Sequence, residues 1–115
     1  RATLKAYRAG ITPSTLADEM MALAEEGGFS DFMVPGFEHG IGMMGDEWRI
    51  GLNDGPFPYW TNPDHVYREN EVLICAMQYA CPEENVGFRY ENPIVIGTAG
   101  CDEMSKYPLG IEVIS

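Results

Sequence analysis

Residues 35–55 read PGFEHGIGMMGDEWRIGLNDG. Glycines at 36, 40, 42, 45, 51 and 55 interrupt this stretch so often that no regular helix runs through it. It holds His39 beside glycine, followed by the acids Asp46 and Glu47. Flanking glycines let an imidazole approach an ion closely while the backbone turns. A lone histidine in such a turn is otherwise an ordinary hydrogen-bonded loop residue.

Toward the N-terminus the pattern is helical. Residues 1–9 carry Leu4 and Tyr7 between basic residues, as the tail of a helix would, and Gly10 stops it. Thr12 offers an N-cap and Pro13 suits a first helical position. Leu16, Met20, Leu23 and Ala24 then recur at the spacing of one helix face. Gly27 and Gly28 end the helix by supplying left-handed backbone. Residues 29–34 are expected to lead into strand structure.

Toward the C-terminus strands follow. Residues 55–70 hold three prolines and several aromatics and are expected to be an ordered irregular loop, with His65 a loop or surface residue. Met43, Met44, Trp48, Tyr59 and Trp60 are expected to pack rather than to bind a ligand. Residues 71–80, EVLICAMQYA, are a continuous apolar run and predict a buried strand. A turn over 82–85 leads to a second strand, 86–96, in which Phe88, Tyr90, Ile94 and Ile96 alternate with Arg89, Glu91 and Pro93. Pro93 removes one ladder donor, so pairing there is interrupted or at an edge. Arg89 and Glu91 point to one face. The arginine can orient and charge-balance the carboxylate, although an exposed pair alone is worth under ~1 kcal/mol. A short polar segment precedes a last strand over 111–114.

Composition narrows the function. At 115 residues, 45% of them apolar, the chain is one small domain with one core. Its net charge of −11, from 18 acids against 7 bases, repels nucleic acid and anionic membrane. No apolar stretch is long enough to span a bilayer. The three cysteines have no metal-finger spacing and fit a reducing cytoplasm, with Cys75 a small buried hydrophobe. The chain starts at Arg1 without Met, as expected of a processed chain or a truncated reading frame.

In order, these residues resemble one family. Gly10-Ile11-Thr12 is similar to its Gly-x-Thr, and His39-Gly40-Ile41-Gly42 followed by Glu47 to its HGxG…E. Arg89-Tyr90-Glu91 resembles its R-x-E strand, and Gly100, Asp102, Met104, Ser105 and Pro108 its closing G-x-E-x-L-S-x-x-P. The family is that of creatinase, aminopeptidase P and prolidase, and the resemblance covers nearly the whole chain. It implies an α+β fold: part of a pita-bread, an antiparallel curved sheet with helices on its outer face. Residues 1–115 would be the C-terminal portion, the first half lying before Arg1.

The resemblance implies a hydrolase whose paired divalent ions (Mn, Zn or Fe) activate a water. His39 and Glu91 fall on metal ligands, Arg89 orients their surroundings, and Asp46 and Glu47 face a small-molecule or short-peptide substrate. The chain departs from the pattern in three ways. The family's two aspartate ligands precede this region. Its first glutamate ligand falls on Ala76 or Met77, neither of which binds such ions as a carboxylate does. Two accessory histidines fall on Pro35 and Asp46. The expectation is therefore a fragment inactive by itself, which associates with itself or with a missing N-terminal half. The alternatives are a metal-deficient binding or assembly subunit, or a lyase of the same fold. HGIGMMGDEW also resembles a stretch of marine dimethylsulfoniopropionate lyases.

Overall fold

The structure is a computed structural model that describes residues 2–34, 38–42, 45–47 and 65–107. Helix α1 (Ala2–Ala6) is followed by α2 (Pro13–Gly27). Strands β1 (Met33–Val34), β2 (Glu38–Gly42), β3 (Gly45–Glu47), β4 (Val72–Cys81), β5 (Val86–Ile96) and β6 (Cys101–Glu103) form one antiparallel sheet in the order β3-β2-β4-β5-β6, with β1 also paired to β4.

The capping residues behave as their chemistry dictates. Thr12 accepts a bond from the Thr15 amide, Pro13 opens α2, and Gly28 closes it at φ 74°. At Gly10, φ is +87°, the turn that lets the chain pass from α1 to α2. Arg8 grips Glu19 through two 2.7 Å bonds and so ties that turn to α2. The loop before β4 is stitched to the same turn, since Gly10 and Tyr67 amides bond the Tyr67 and Ile11 carbonyls at 2.9 and 3.0 Å.

Leu16, Ala17 and Met20 of α2 pack on Leu73, Cys75 and Met77 of β4 and Ile94 and Ile96 of β5, with Tyr7 and Tyr67 completing the core. Alternation sends odd residues of β4 and even residues of β5 toward the helices. Ile74 and Ala76, on the opposite face, are buried too. The uninterrupted apolar run over 71–80 is thus a strand covered on both faces at its centre.

Residues 29–34 lead into the sheet as expected, through a 3-10 turn at Ser30–Phe32 that delivers Met33–Val34 to β4. The polar segment after Gly100 contains β6, which the sequence did not suggest because its residues carry no apolar alternation. The turn over 82–85 is present, with Asn85 left-handed at φ 58°. The expected strand over 111–114, and Met43, Met44, Trp48, Tyr59 and Trp60, lie outside the described residues. Among the described residues, no helix is long and apolar enough to cross a membrane.

The packing predicts unequal roles for adjacent methionines. Met20 is buried while Met21 is only partly so. Met20→Ala should cost about 2–5 kcal/mol in urea unfolding, and Met21→Ala less than half as much. Equal losses would contradict this placement of α2.

Candidate functional site

Strand register decides which residues can meet. In β2·β4, His39 lies opposite Ile74; in β4·β5, Ala76 lies opposite Glu91 and Gln78 opposite Arg89. Directly opposed residues share a face, so His39, Ala76, Arg89 and Glu91 occupy the face away from the helices. Ala76 has only a methyl group, and His39 reaches over it: Nε2 stands 3.2 Å from Glu91 Oε1. The same carboxylate forms an ion pair with Arg89. His39 is 4% exposed, whereas the side chains of Arg89 and Glu91 are each 42% exposed. The imidazole forms the floor of the site and the ion pair its rim.

The histidine's tautomer follows from its partners. Nδ1 lies 2.8 Å from the Gly40 carbonyl, which can only accept, so Nδ1 carries hydrogen. A neutral ring then turns the Nε2 lone pair toward a carboxylate. Either a proton on Nε2 or a cation between the two groups makes this arrangement favourable.

The register also separates Ala76 from Met77, the two positions on which the resemblance would place the family's first glutamate. Met77 lies opposite Tyr90, on the helix side, and is part of the core. Ala76 faces His39 and Glu91, so Ala76 and not Met77 stands in the site. Asp46 and Glu47 lie in β3, opposite Ile41 and Gly40, but their side chains, like Pro35, are outside the described residues. His65 lies in the loop before β4, as expected of a loop or surface residue, and there it is partly buried and paired with Glu71 at 2.8 Å. Its ring meets Tyr67 edge-on.

The sequence did not reveal a polar row behind the site. Glu38, Cys75 and Asn92 lie side by side across β2, β4 and β5 on the helix-facing side. Glu38 and Asn92 are buried, and Glu38 Oε2 and Asn92 Oδ1 have no hydrogen-bond partner among the described residues. Glu38 Oε1 accepts from the Tyr67 hydroxyl, and Asn92 Nδ2 donates to Glu103. Burial pushes the Glu38 carboxyl up to about 8; the Tyr67 bond opposes this and the nearby Glu71 charge adds to it. The Cys75 thiol is pushed up to about 11 by burial, against its hydrogen bond to Tyr7. Asn92 was detectable, because it breaks the apolar phase Phe88, Tyr90, Ile94, Ile96. Glu38 was not, since nothing in its sequence neighbourhood fixes the phase of so short a strand.

An imidazole and a carboxylate suit Zn, Mn or Fe in kind. Their number does not suffice: among the described residues no three His, Cys, Asp or Glu gather to hold a metal. The unpartnered oxygens of Glu38 and Asn92 point to the core side and do not supplement that set. By itself the described face does not fit the closed metal centre that the resemblance implies.

The model of metallopeptidase family M24 matches residues 1–98. Among solved structures, an X-Pro aminopeptidase from Thermotoga maritima superposes with a TM-score of 0.74 at 24% identity, over 98% of this chain and 30% of that one. Prolidase from Pyrococcus furiosus gives 0.68 at 21% identity, over 93% and 29%. Xaa-Pro dipeptidase from Bacillus anthracis gives 0.67 at 20%, over 98% and 30%. These likenesses establish the pita-bread fold expected from the sequence. The chain spans less than a third of the length of these solved relatives. No curated protein matches the sequence closely enough to count as a relative.

The buried acid makes stability depend on pH. The folded-state value of Glu38 is raised from 4.5 to about 8, so folding favours its protonated form. Its contribution is complete below the unfolded value and is lost as pH rises from about 4.5 to about 8. Glu38→Gln should remove that decline, a change on the order of a few kcal/mol at the alkaline end. Parallel curves for the two proteins across this window in urea unfolding would contradict the assignment.

Proposed function

We propose a function from the premise that the chain belongs to metallopeptidase family M24: it carries part of a hydrolase active centre whose metal site is degenerate. The observation that carries this reading is the convergence of His39 Nε2 and Glu91 Oε1 over Ala76. Family members of this kind generally use divalent metal, and the relatives are aminopeptidases and dipeptidases by name. A short peptide is accordingly the substrate class we assign to the whole protein, and the cytoplasm its compartment.

In this reading, the Gly40 carbonyl fixes the His39 ring and aims Nε2 at the site. Arg89 holds the Glu91 carboxylate toward the same point and balances its charge. Asp46 and Glu47, on the strand beyond β2, are assigned to the substrate side. A divalent ion, when bound, would supply Lewis acidity and an activated water. Two donors per chain hold such an ion only weakly, so the chain alone should not hydrolyse peptides. Ala76 favours a second reading, in which a metal-deficient family member serves as a binding or assembly subunit. A lyase of the same fold is a further possibility, carried only by the local likeness of residues 39–48.

Calorimetric titration with Mn²⁺ and Zn²⁺ separates these readings. The unmodified chain should bind with a dissociation constant weaker than about 1 μM, corresponding to under ~8 kcal/mol. Ala76→Glu should tighten binding at least tenfold, and His39→Ala added to it should abolish the gain. An unchanged affinity in Ala76→Glu would show that position 76 is not the site's missing carboxylate.

A further inference from the structure

Strand β2 is one residue out of step with β1. Both lie against β4. Met33 and Val34 stand opposite Tyr79 and Gln78, whereas Glu38, His39 and Gly40 stand opposite Cys75, Ile74 and Leu73. Between Val34 and Glu38 the chain has three residues; between Gln78 and Cys75 it has two. Had the β1 register continued, Glu38 would stand opposite Ile74 and His39 opposite Leu73. His39 and Ile41 would then face the helices, and Glu38 the site. One added residue re-aims the side chains that follow it. Here it turns His39 toward Glu91.

Apolar packing does not hold β2 in this register. Alternation puts Glu38 and the glycines at 40 and 42 on the helix side, so β2 sends no apolar side chain into the core. Its one apolar residue, Ile41, falls on the other face. By hydrophobic pattern the in-step register is the better one, since it would bring Ile41 inward and release Glu38 from burial. The hairpin does not decide the matter either. Gly40 opposite Glu47 and Gly42 opposite Gly45 set β2 against β3, not against β4.

Among the described residues, one polar contact opposes the shift. The Tyr67 hydroxyl donates to Glu38 Oε1, and this chain alone encloses both groups, leaving Tyr67 1% and Glu38 2% exposed. Tyr67 is itself fixed. Its amide donates to the Ile11 carbonyl and its carbonyl accepts from the Gly10 amide, which ties it to the turn between α1 and α2. In the in-step register Glu38 would leave for the opposite face, and the hydroxyl would lose its acceptor inside the core. A buried donor without a partner carries its full desolvation cost.

We propose that Tyr67, through its hydrogen bond to Glu38, is the positioning residue that locks β2 out of step with β1 and so keeps His39 in the site. Its role rests on the proposed function only in taking His39 as a site residue. The register is measured without metal, so either can fail alone.

Cross-strand proton contacts in the NMR spectrum of the full chain read the register directly. The unmodified chain should pair His39 with Ile74 and Gly40 with Leu73. Tyr67→Phe removes only the hydroxyl. It should replace those contacts by His39 with Leu73, or free the β2 amides to exchange at least tenfold faster, with the β4·β5 ladder unchanged. Glu38→Ala should do the same, and because it also removes the buried acid it decides the question if Tyr67→Phe does not fold. Glu38→Gln keeps an acceptor for the hydroxyl and should keep the register, which a general loss of packing would not allow. The Zn²⁺-dependent shift at His39 Nε2 should disappear in Tyr67→Phe and persist in Glu38→Gln. The out-of-step register retained in Tyr67→Phe or in Glu38→Ala, or lost in Glu38→Gln, would overturn the proposal.

Discussion

Strand β4 pairs along one edge with β1 and β2 and along the other with β5, and the register of these ladders governs the domain. Because side chains alternate with a period of two, a slip of one residue would exchange the two faces. Leu73, Cys75 and Met77 would leave the core, and Ala76 would leave the site. The covering helix α2 prevents the slip, since Leu16 and Met20 must meet apolar residues. Packing on one face thus positions chemistry on the other.

The same constraint explains how much was legible in the sequence. Helix α2 announced itself through its cap, its apolar stripe and its closing glycines, because these signals are local. The two long strands were also visible, one as an apolar run and one as an alternation. Strands β1, β3 and β6 are two or three residues long and owe their existence to neighbours far along the chain, so no local pattern marks them. The choice between Ala76 and Met77 could not be made from the sequence, since both lie in an unbroken apolar run. It required the ladder that sets Glu91 opposite one of them.

The site residues divide in the same way. His39, Arg89 and Glu91 were singled out as candidates by motif, and the sheet brings them together despite the 52-residue gap between His39 and Glu91. Glu38 was missed although it adjoins His39, because alternation sends it to the buried side. There it costs desolvation that the Tyr67 bond partly offsets, and one of its oxygens has no partner among the described residues. Buried acids of this kind are costly to keep. Together with Cys75 and Asn92, Glu38 places a polar seam behind a site whose front is an ion pair.

The central claim is that His39 presents Nε2, not Nδ1, to Glu91, with its orientation fixed by the Gly40 carbonyl. A long-range ¹H–¹⁵N spectrum of the histidine side chains at neutral pH, recorded before and after adding Zn²⁺, reads this directly. The account predicts a protonated Nδ1 in both states, with the Zn²⁺-dependent shift confined to Nε2 of His39. A neutral ring protonated at Nε2 alone, or a metal-induced shift at His65 with His39 unmoved, would contradict it.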